Sequence, residues 1–188
     1  MLTRRSALAL ALAAIAAPAR AATAPTLGED GLYHFDWYLE SFLDLKDDID
    51  TATKNGKRLA IMWGLKGCPM CRRMHEVHLV DPAIQDYVRT NFDIVHLNVI
   101  GAREVTDFDG ARLGEKAFSQ RYGIRFTPTI QFMPESAEGL AAKPPFEREV
   151  ARMAGLLEPP EFLAMFRYVK EKGYEKELFP DWLKRRSS

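Results

Sequence analysis

The stretch Arg58-Leu59-Ala60-Ile61-Met62-Trp63-Gly64-Leu65-Lys66-Gly67-Cys68-Pro69-Met70-Cys71 decides how this chain is read. It opens with an apolar run of strand length, Arg58 to Trp63, and turns over Gly64 to Gly67. From Pro69 it continues as a helix carrying Met70, Met74 and Val77. Proline suits the first helical position, because the N–H it lacks has no partner there in any case. A cysteine capping that helix faces unpaired backbone N–H groups and the positive end of the helix dipole. Both favour thiolate over thiol. Cys71 follows three residues later, close enough to form a small disulfide ring.

The chain has two cysteines in 188 residues. A pair this close in sequence closes almost no loop and restrains the unfolded chain little, so it reads as a reactive pair and not as a scaffold. Attack by Cys68 on a substrate disulfide would give a mixed disulfide that Cys71 resolves, and the reverse order would oxidise a dithiol. Met70 neither donates a hydrogen bond nor carries charge, which leans the pair towards the reducing side. The same residues admit a second reading. Cys68, Cys71, His75 and His78 form C-x2-C-x3-H-x2-H, and the last three share a helix face by their spacing. One short helix can hardly close a tetrahedron around its own end, and Asp81-Pro82 suggests that it is already finishing. The bland reading makes both histidines surface residues.

Outward from the motif, helical periodicity from about Asp36 to Thr53 runs through Trp37, Leu39, Phe42, Leu43, Leu45 and Ile49, and Asn55-Gly56 stops it. Residues 22–35 read as an exposed lead-in. Beyond the motif, Asp81-Pro82 opens a helix, Phe92 to Ile100 is a strand, and Glu104 to Arg112 is a polar insertion with its own turn. Gly114 to Tyr122 is a short helix and Thr129 to Met133 a strand. A loop to Pro145, a strand over Glu147 to Met153 and a helix from Glu161 to about Lys172 follow, and 181–188 reads as a frayed tail. Strands separated by helices and then two strands joined by a loop predict a mixed central sheet with helices on both faces, filling one domain over 36–180.

The first residues read as a leader over 1–21. Arg4 and Arg5 precede an apolar run, Ala7 to Ala17, and Ala19-Arg20-Ala21 offers a cleavage site. The run is short of the about 20 residues that span a bilayer. Cleavage would remove three basic residues and no acid, leaving a chain with a modest acid excess and no stable membrane insertion. Thr3-Arg4-Arg5-Ser6-Ala7-Leu8 resembles a twin-arginine export motif, although Ala7 stands where a large apolar residue is usual. Export to the periplasm would place the thiol pair where disulfides persist. The full chain balances 26 basic against 26 acidic residues, which gives no nucleic-acid footprint.

A second signature, Gly123-Ile124-Arg125-Phe126-Thr127-Pro128-Thr129, enters a strand. A cis peptide at Thr127-Pro128 would turn backbone groups towards the sulfurs, where an incoming peptide could pair as an added strand. Pro69, Met70, Thr127 and Pro128 are then the residues that such a peptide meets. The combination of C-x-x-C with Thr-Pro-Thr resembles thioredoxin-like proteins. Further stretches resemble periplasmic thioredoxins of the SoxW type, associated with sulfur oxidation: Gly56 to Leu59, Met74-His75, Asp81-Pro82, Asn91 to Asp93, Leu97-Asn98, Glu104 to Gly110 and Arg167-Tyr168-Val169.

That resemblance implies a thioredoxin fold with an N-terminal helix and an insertion before the cis-proline. It implies Cys68 as nucleophile, Cys71 as resolving thiol and Pro128 as the cis-proline. It also implies protein disulfide substrates, no cofactor, and reducing power from an inner-membrane carrier of the CcdA type. An isomerase or oxidase, or a reductase of cytochrome c maturation, is an alternative; isomerases usually carry a dimerisation module, for which the chain has little room, and a monomer is expected. Departures from ordinary thioredoxin are Gly67 for the usual tryptophan, Pro-Met for Gly-Pro, and Met62 where a buried acid is usual. Without that acid, solvent and Glu76 are the candidates to accept the Cys71 proton. Trp63 reads as a core residue.

Overall fold

The computed structural model describes residues 22–187; the leader expected over 1–21 lies outside them, as does Ser188. The chain begins with two short paired strands, β1 (Thr26–Leu27) and β2 (Tyr33–His34). Helix α1 (Leu45–Lys54) leads into β3 (Arg58–Gly64), and α2 (Pro69–Arg73) runs directly into a π-helical turn, Met74–His78. Then follow α3 (Pro82–Asn91), β4 (Phe92–Asn98), the hairpin β5 (Glu104–Thr106) and β6 (Arg112–Gly114), and α4 (Glu115–Arg121). The chain ends with β7 (Thr129–Phe132), β8 (Ala151–Ala154), α5 (Pro159–Lys170) and α6 (Phe179–Ser187).

The central sheet has the order β4-β3-β7-β8, with β3 and β4 parallel and the other pairs antiparallel. This is the mixed sheet of a thioredoxin fold. Alternation along β3 sends its side chains to two cores. Ala60 and Met62 join Ile94, Ile130 and Phe166 under α2, α3, α5 and α6, while Leu59, Ile61 and Trp63 join Ile49, Leu97 and Phe118 under α1 and α4. Trp63 is fully buried, stacked on Phe118, and its indole N–H donates to Gln131 Oε1 at 2.7 Å. Caps fix the helix starts. Asp81 accepts from the backbone N–H of Ala83 and Ile84, and Pro82 takes the first helical position.

Four expectations need correction. The first helix begins at Leu45, not near Asp36, because the Asp44 carboxylate caps the N–H groups of Lys46 and Asp47 after Leu43 has turned into the left-handed region. Trp37, Tyr38 and Leu39 pack on the cores without being helical. The lead-in is not an exposed strand of chain: Leu32 and Phe35 are buried, and Thr23 exchanges backbone hydrogen bonds with the Gln85 side chain at 2.7 and 2.9 Å. The last strand starts at Ala151, because residues 145–147 form a 3-10 turn and Arg148 is drawn into the insertion. There it bonds Asp107 at 2.8 Å and Asp109 at 2.9 Å. The tail is a helix as far as Ser187, docked by Trp182, which is buried against Tyr168 and Phe179.

Candidate active site

Cys68 ends the turn after β3 and caps α2, in extended geometry at φ −73°, ψ 112°, with Pro69 at the first helical position. The Cys71 backbone N–H donates to Cys68 Sγ at 3.1 Å. The sulfur therefore receives one of the donors that a helix start leaves open, the arrangement that lowers a thiol pKa. Cys68 and Cys71 are joined as a disulfide with their Cα atoms 5.3 Å apart, and no free cysteine is present among the described residues. Both are largely buried, Cys68 at 9% exposure and Cys71 at 4%, so Cys68 is the sulfur that a partner reaches first.

Thr127 and Pro128 stand beside this pair. Their peptide is cis. Thr127 Oγ1 donates to Cys68 Sγ at 3.4 Å, and the Thr127 carbonyl oxygen lies 3.4 Å from the same sulfur. The Pro128 carbonyl accepts from Gly155 N–H at 2.9 Å, which ties this loop to the end of β8. Met70 is 40% exposed on the outer side of α2, and Phe126 is 64% exposed just before Thr127. The expected set Cys68, Cys71, Pro69, Met70, Thr127 and Pro128 thus forms one neighbourhood.

The histidines are not surface residues. His75 and His78 are both fully buried, which corrects that reading. The His75 Nδ1–H donates to the Cys71 carbonyl at 2.8 Å, so its Nε2 accepts from the Tyr38 hydroxyl at 3.0 Å. Its ring stacks between Tyr33, Phe35 and His96. Burial pushes the His75 pKa down to about 4 and that of His96 well below its usual value, and both are neutral at pH 7. His78 turns elsewhere, its Nε2–H donating to Leu157 O at 2.9 Å. Among the described residues no group of three or more His, Cys, Asp or Glu is placed to hold a metal ion.

Met62 is fully buried and pairs in register with His96, and the Tyr38 hydroxyl lies 3.6 Å from its sulfur. A neutral His–Tyr pair and the Met62 thioether therefore occupy this layer, with no carboxylate among them, as the departure at position 62 implied. Glu76 is held by Arg72 at 2.6 Å on the outer helix face, occupied by a cation. The sequence reading missed Tyr38, which bonds His75, and it missed the hairpin: Leu27, Gly31 and Tyr33 line a groove beside Cys68 together with Lys66 and Arg72. The signal that was available is the apolar content of the supposed lead-in, Leu27, Leu32, Tyr33 and Phe35 within nine residues.

A thioredoxin fold carrying a bonded C-x-x-C pair at a helix N-terminus, next to a threonine–proline loop, defines a thiol–disulfide oxidoreductase. Residues 45–170 match the family model of the thioredoxin-like domain, and the chain belongs to that family. No curated protein matches it significantly. Among solved structures, a thioredoxin-fold protein from Helicobacter pylori is similar at 19% identity and a TM-score of 0.56, over 70% of this chain and 82% of that one. A thioredoxin from Thermus thermophilus is similar at 22% identity and a TM-score of 0.51, over 69% and 86%. At these identities the likeness speaks for the fold. Strands β1 and β2 and helix α6 lie outside the matched residues.

Proposed function

We propose that this chain is an exported, periplasmic thioredoxin of the SoxW type that reduces disulfides of protein partners, drawing electrons from an inner-membrane donor of the CcdA type. The observation that carries the reductase reading is the sulfur of Cys68 at the N-terminus of α2, accepting from Cys71 N–H at 3.1 Å. The reduced pair attacks through the Cys68 thiolate. The substrate disulfide breaks, one substrate sulfur leaves as thiolate and takes a proton from water, and a mixed disulfide forms on Cys68. Cys71 gives its proton to solvent and, as thiolate, attacks Cys68 Sγ. The Cys68–substrate bond breaks, the second substrate sulfur leaves as thiolate and is protonated by water, and two electrons have passed to the partner.

Met70 supports the reducing direction, because it places no charge or donor beside the thiolate. The leader reading of residues 1–21 supports export, and the insertion Glu104 to Gly110 supports the SoxW type. Three experiments test the proposal. Cys71→Ser should accumulate a mixed disulfide on Cys68 with its periplasmic partners, and Cys68→Ser should abolish reduction of insulin. The potential measured against glutathione should lie nearer the roughly −270 mV of reducing pairs than the roughly −120 mV of strong oxidants. A value at the oxidising end, or insulin reduction retained in Cys68→Ser, would overturn it.

A further inference from the structure

We infer that the groove between the β1–β2 hairpin and the start of α2 is a recognition subsite for an acidic peptide segment flanking the target disulfide. The inference rests on the disulfide-reductase reading above and adds the class of partner. The groove encloses about 390 Å³ beside Cys68, in the size range of pockets that hold small ligands. Cys68 and Pro69 form its base, Leu27 and Tyr33 its apolar wall, and Lys66 and Arg72 its charged rim; no carboxylate lines it, and neither Thr127 nor Pro128 does. It is therefore a second surface reached from the same sulfur.

Three features make the groove suited to an acidic occupant. Lys66 has no hydrogen bond or ion pair among the described residues. Its stem is pinned under the hairpin: a side chain at Gly31, where φ is +76°, would meet Lys66 Cγ at 2.6 Å. Lys66 as a whole is exposed, so its ammonium carries an uncompensated charge beside the groove. Arg72 bonds Glu76 through Nε, which leaves its terminal nitrogens for another acceptor. Leu27, 64% exposed, offers an apolar seat next to both cations. The hairpin supplying this wall lies outside the thioredoxin-like domain at 45–170, so the groove is closed on that side by chain added to the matched domain.

The test uses the full chain, pre-reduced, in single-turnover reduction of two synthetic peptides. Each carries one intramolecular disulfide, and they differ only in the residues beside one cysteine, Phe-Glu-Glu against Phe-Lys-Lys. A charge contact in water is worth about 1 kcal/mol, or roughly fivefold in rate. The acidic peptide should therefore be reduced at least about fivefold faster, with the ratio falling towards one in 0.5 M salt. Lys66→Glu should bring the ratio to one or below, and Lys66→Gln should lie between. Leu27→Ser should slow both peptides and leave the ratio in place. Rates within twofold of each other in the unaltered protein, or a preference that survives Lys66→Glu, would overturn the subsite. Failure to reduce either peptide would instead overturn the reductase reading on which it rests.

Discussion

Replacing His75 by phenylalanine should change how stability depends on pH more than it changes stability itself. Burial holds the folded His75 pKa at about 4 against an ordinary 6.5. Between those values the unfolded chain binds a proton that the folded chain refuses, so stability rises with pH across this window and is lost as pH falls through it. A displacement of this size corresponds to roughly 3 kcal/mol by pH 4. The physical source is the packing. Protonated Nε2 would face the Tyr38 hydroxyl, whose alternative acceptor is the Met62 sulfur at 3.6 Å. His75→Phe keeps a ring stacked between Tyr33 and His96 but loses two hydrogen bonds. Cys71 O retains the Met74 N–H, so the loss at pH 7 should be about 1–2 kcal/mol. By pH 4 the unaltered protein has given up more than that, and the two stability curves should cross in between. Urea unfolding of the oxidised proteins at five pH values from 4 to 8 measures both curves. His96 titrates in each protein, so the comparison carries the test, and a constant gap between the curves would refute the reasoning.

Other parts of the molecule give similarly direct outcomes. Burial pushes Asp48 up to about 6, with Ser41 donating to its carboxylate at 2.7 Å, so its charge costs stability as pH rises through 6 and nothing below about 4. Asp48→Asn should therefore raise stability by roughly 2 kcal/mol at pH 8 and little at pH 4, and equal gains in thermal melts at both would contradict this. Gly64→Ala would set a methyl 2.7 Å from His96 Nε2 and 3.1 Å from Leu32 Cδ2, costing about 1–3 kcal/mol. The penalty should shrink in a His96→Ala background, as a double-mutant cycle would show. Trp182→Ala removes the anchor of α6, whose ring also lies 4.2 Å from the Arg186 guanidinium, and should cost about 3 kcal/mol in urea titrations.

The elements written plainly in the sequence are those whose signals are local. Pro69 and Pro82 at first helical positions, the Asp81 cap and the apolar runs of β3 and β4 each lie within a few residues of what they determine. The misplaced elements are those set from a distance. Periodicity continues unbroken through Trp37 and Leu39, but these residues are apolar because they cover the sheet, not because they are helical. Arg148 lies within an apparent strand, yet it is buried by Asp107 and Asp109, some forty positions earlier. Trp182 looks like the end of a fading chain until Tyr168 and Phe179 are placed around it.

The site divides along the same line. Cys68 as a helix cap follows from motif and spacing, because a strand-turn-helix junction leaves little choice in where that group points. Thr127 stands against the same sulfur from 59 residues away and was expected there only by combining the two motifs. What surrounds the pair does not follow. A buried carboxylate at position 62 would need its own donors in a layer already filled by Tyr38, His75 and His96, and a bare charge there would cost several kcal/mol. Methionine asks for no partner, and the Tyr38 hydroxyl spends its proton on His75 instead. The consequence is that the helix bearing Cys71 is fastened through its carbonyl to a histidine, and through that histidine to a tyrosine more than thirty residues upstream. The segment that reads as a lead-in thus holds the redox helix from below with Tyr38 and walls the groove beside Cys68 with Leu27 and Tyr33. One stretch of chain outside the common domain acts on both the geometry of the pair and what is presented to it.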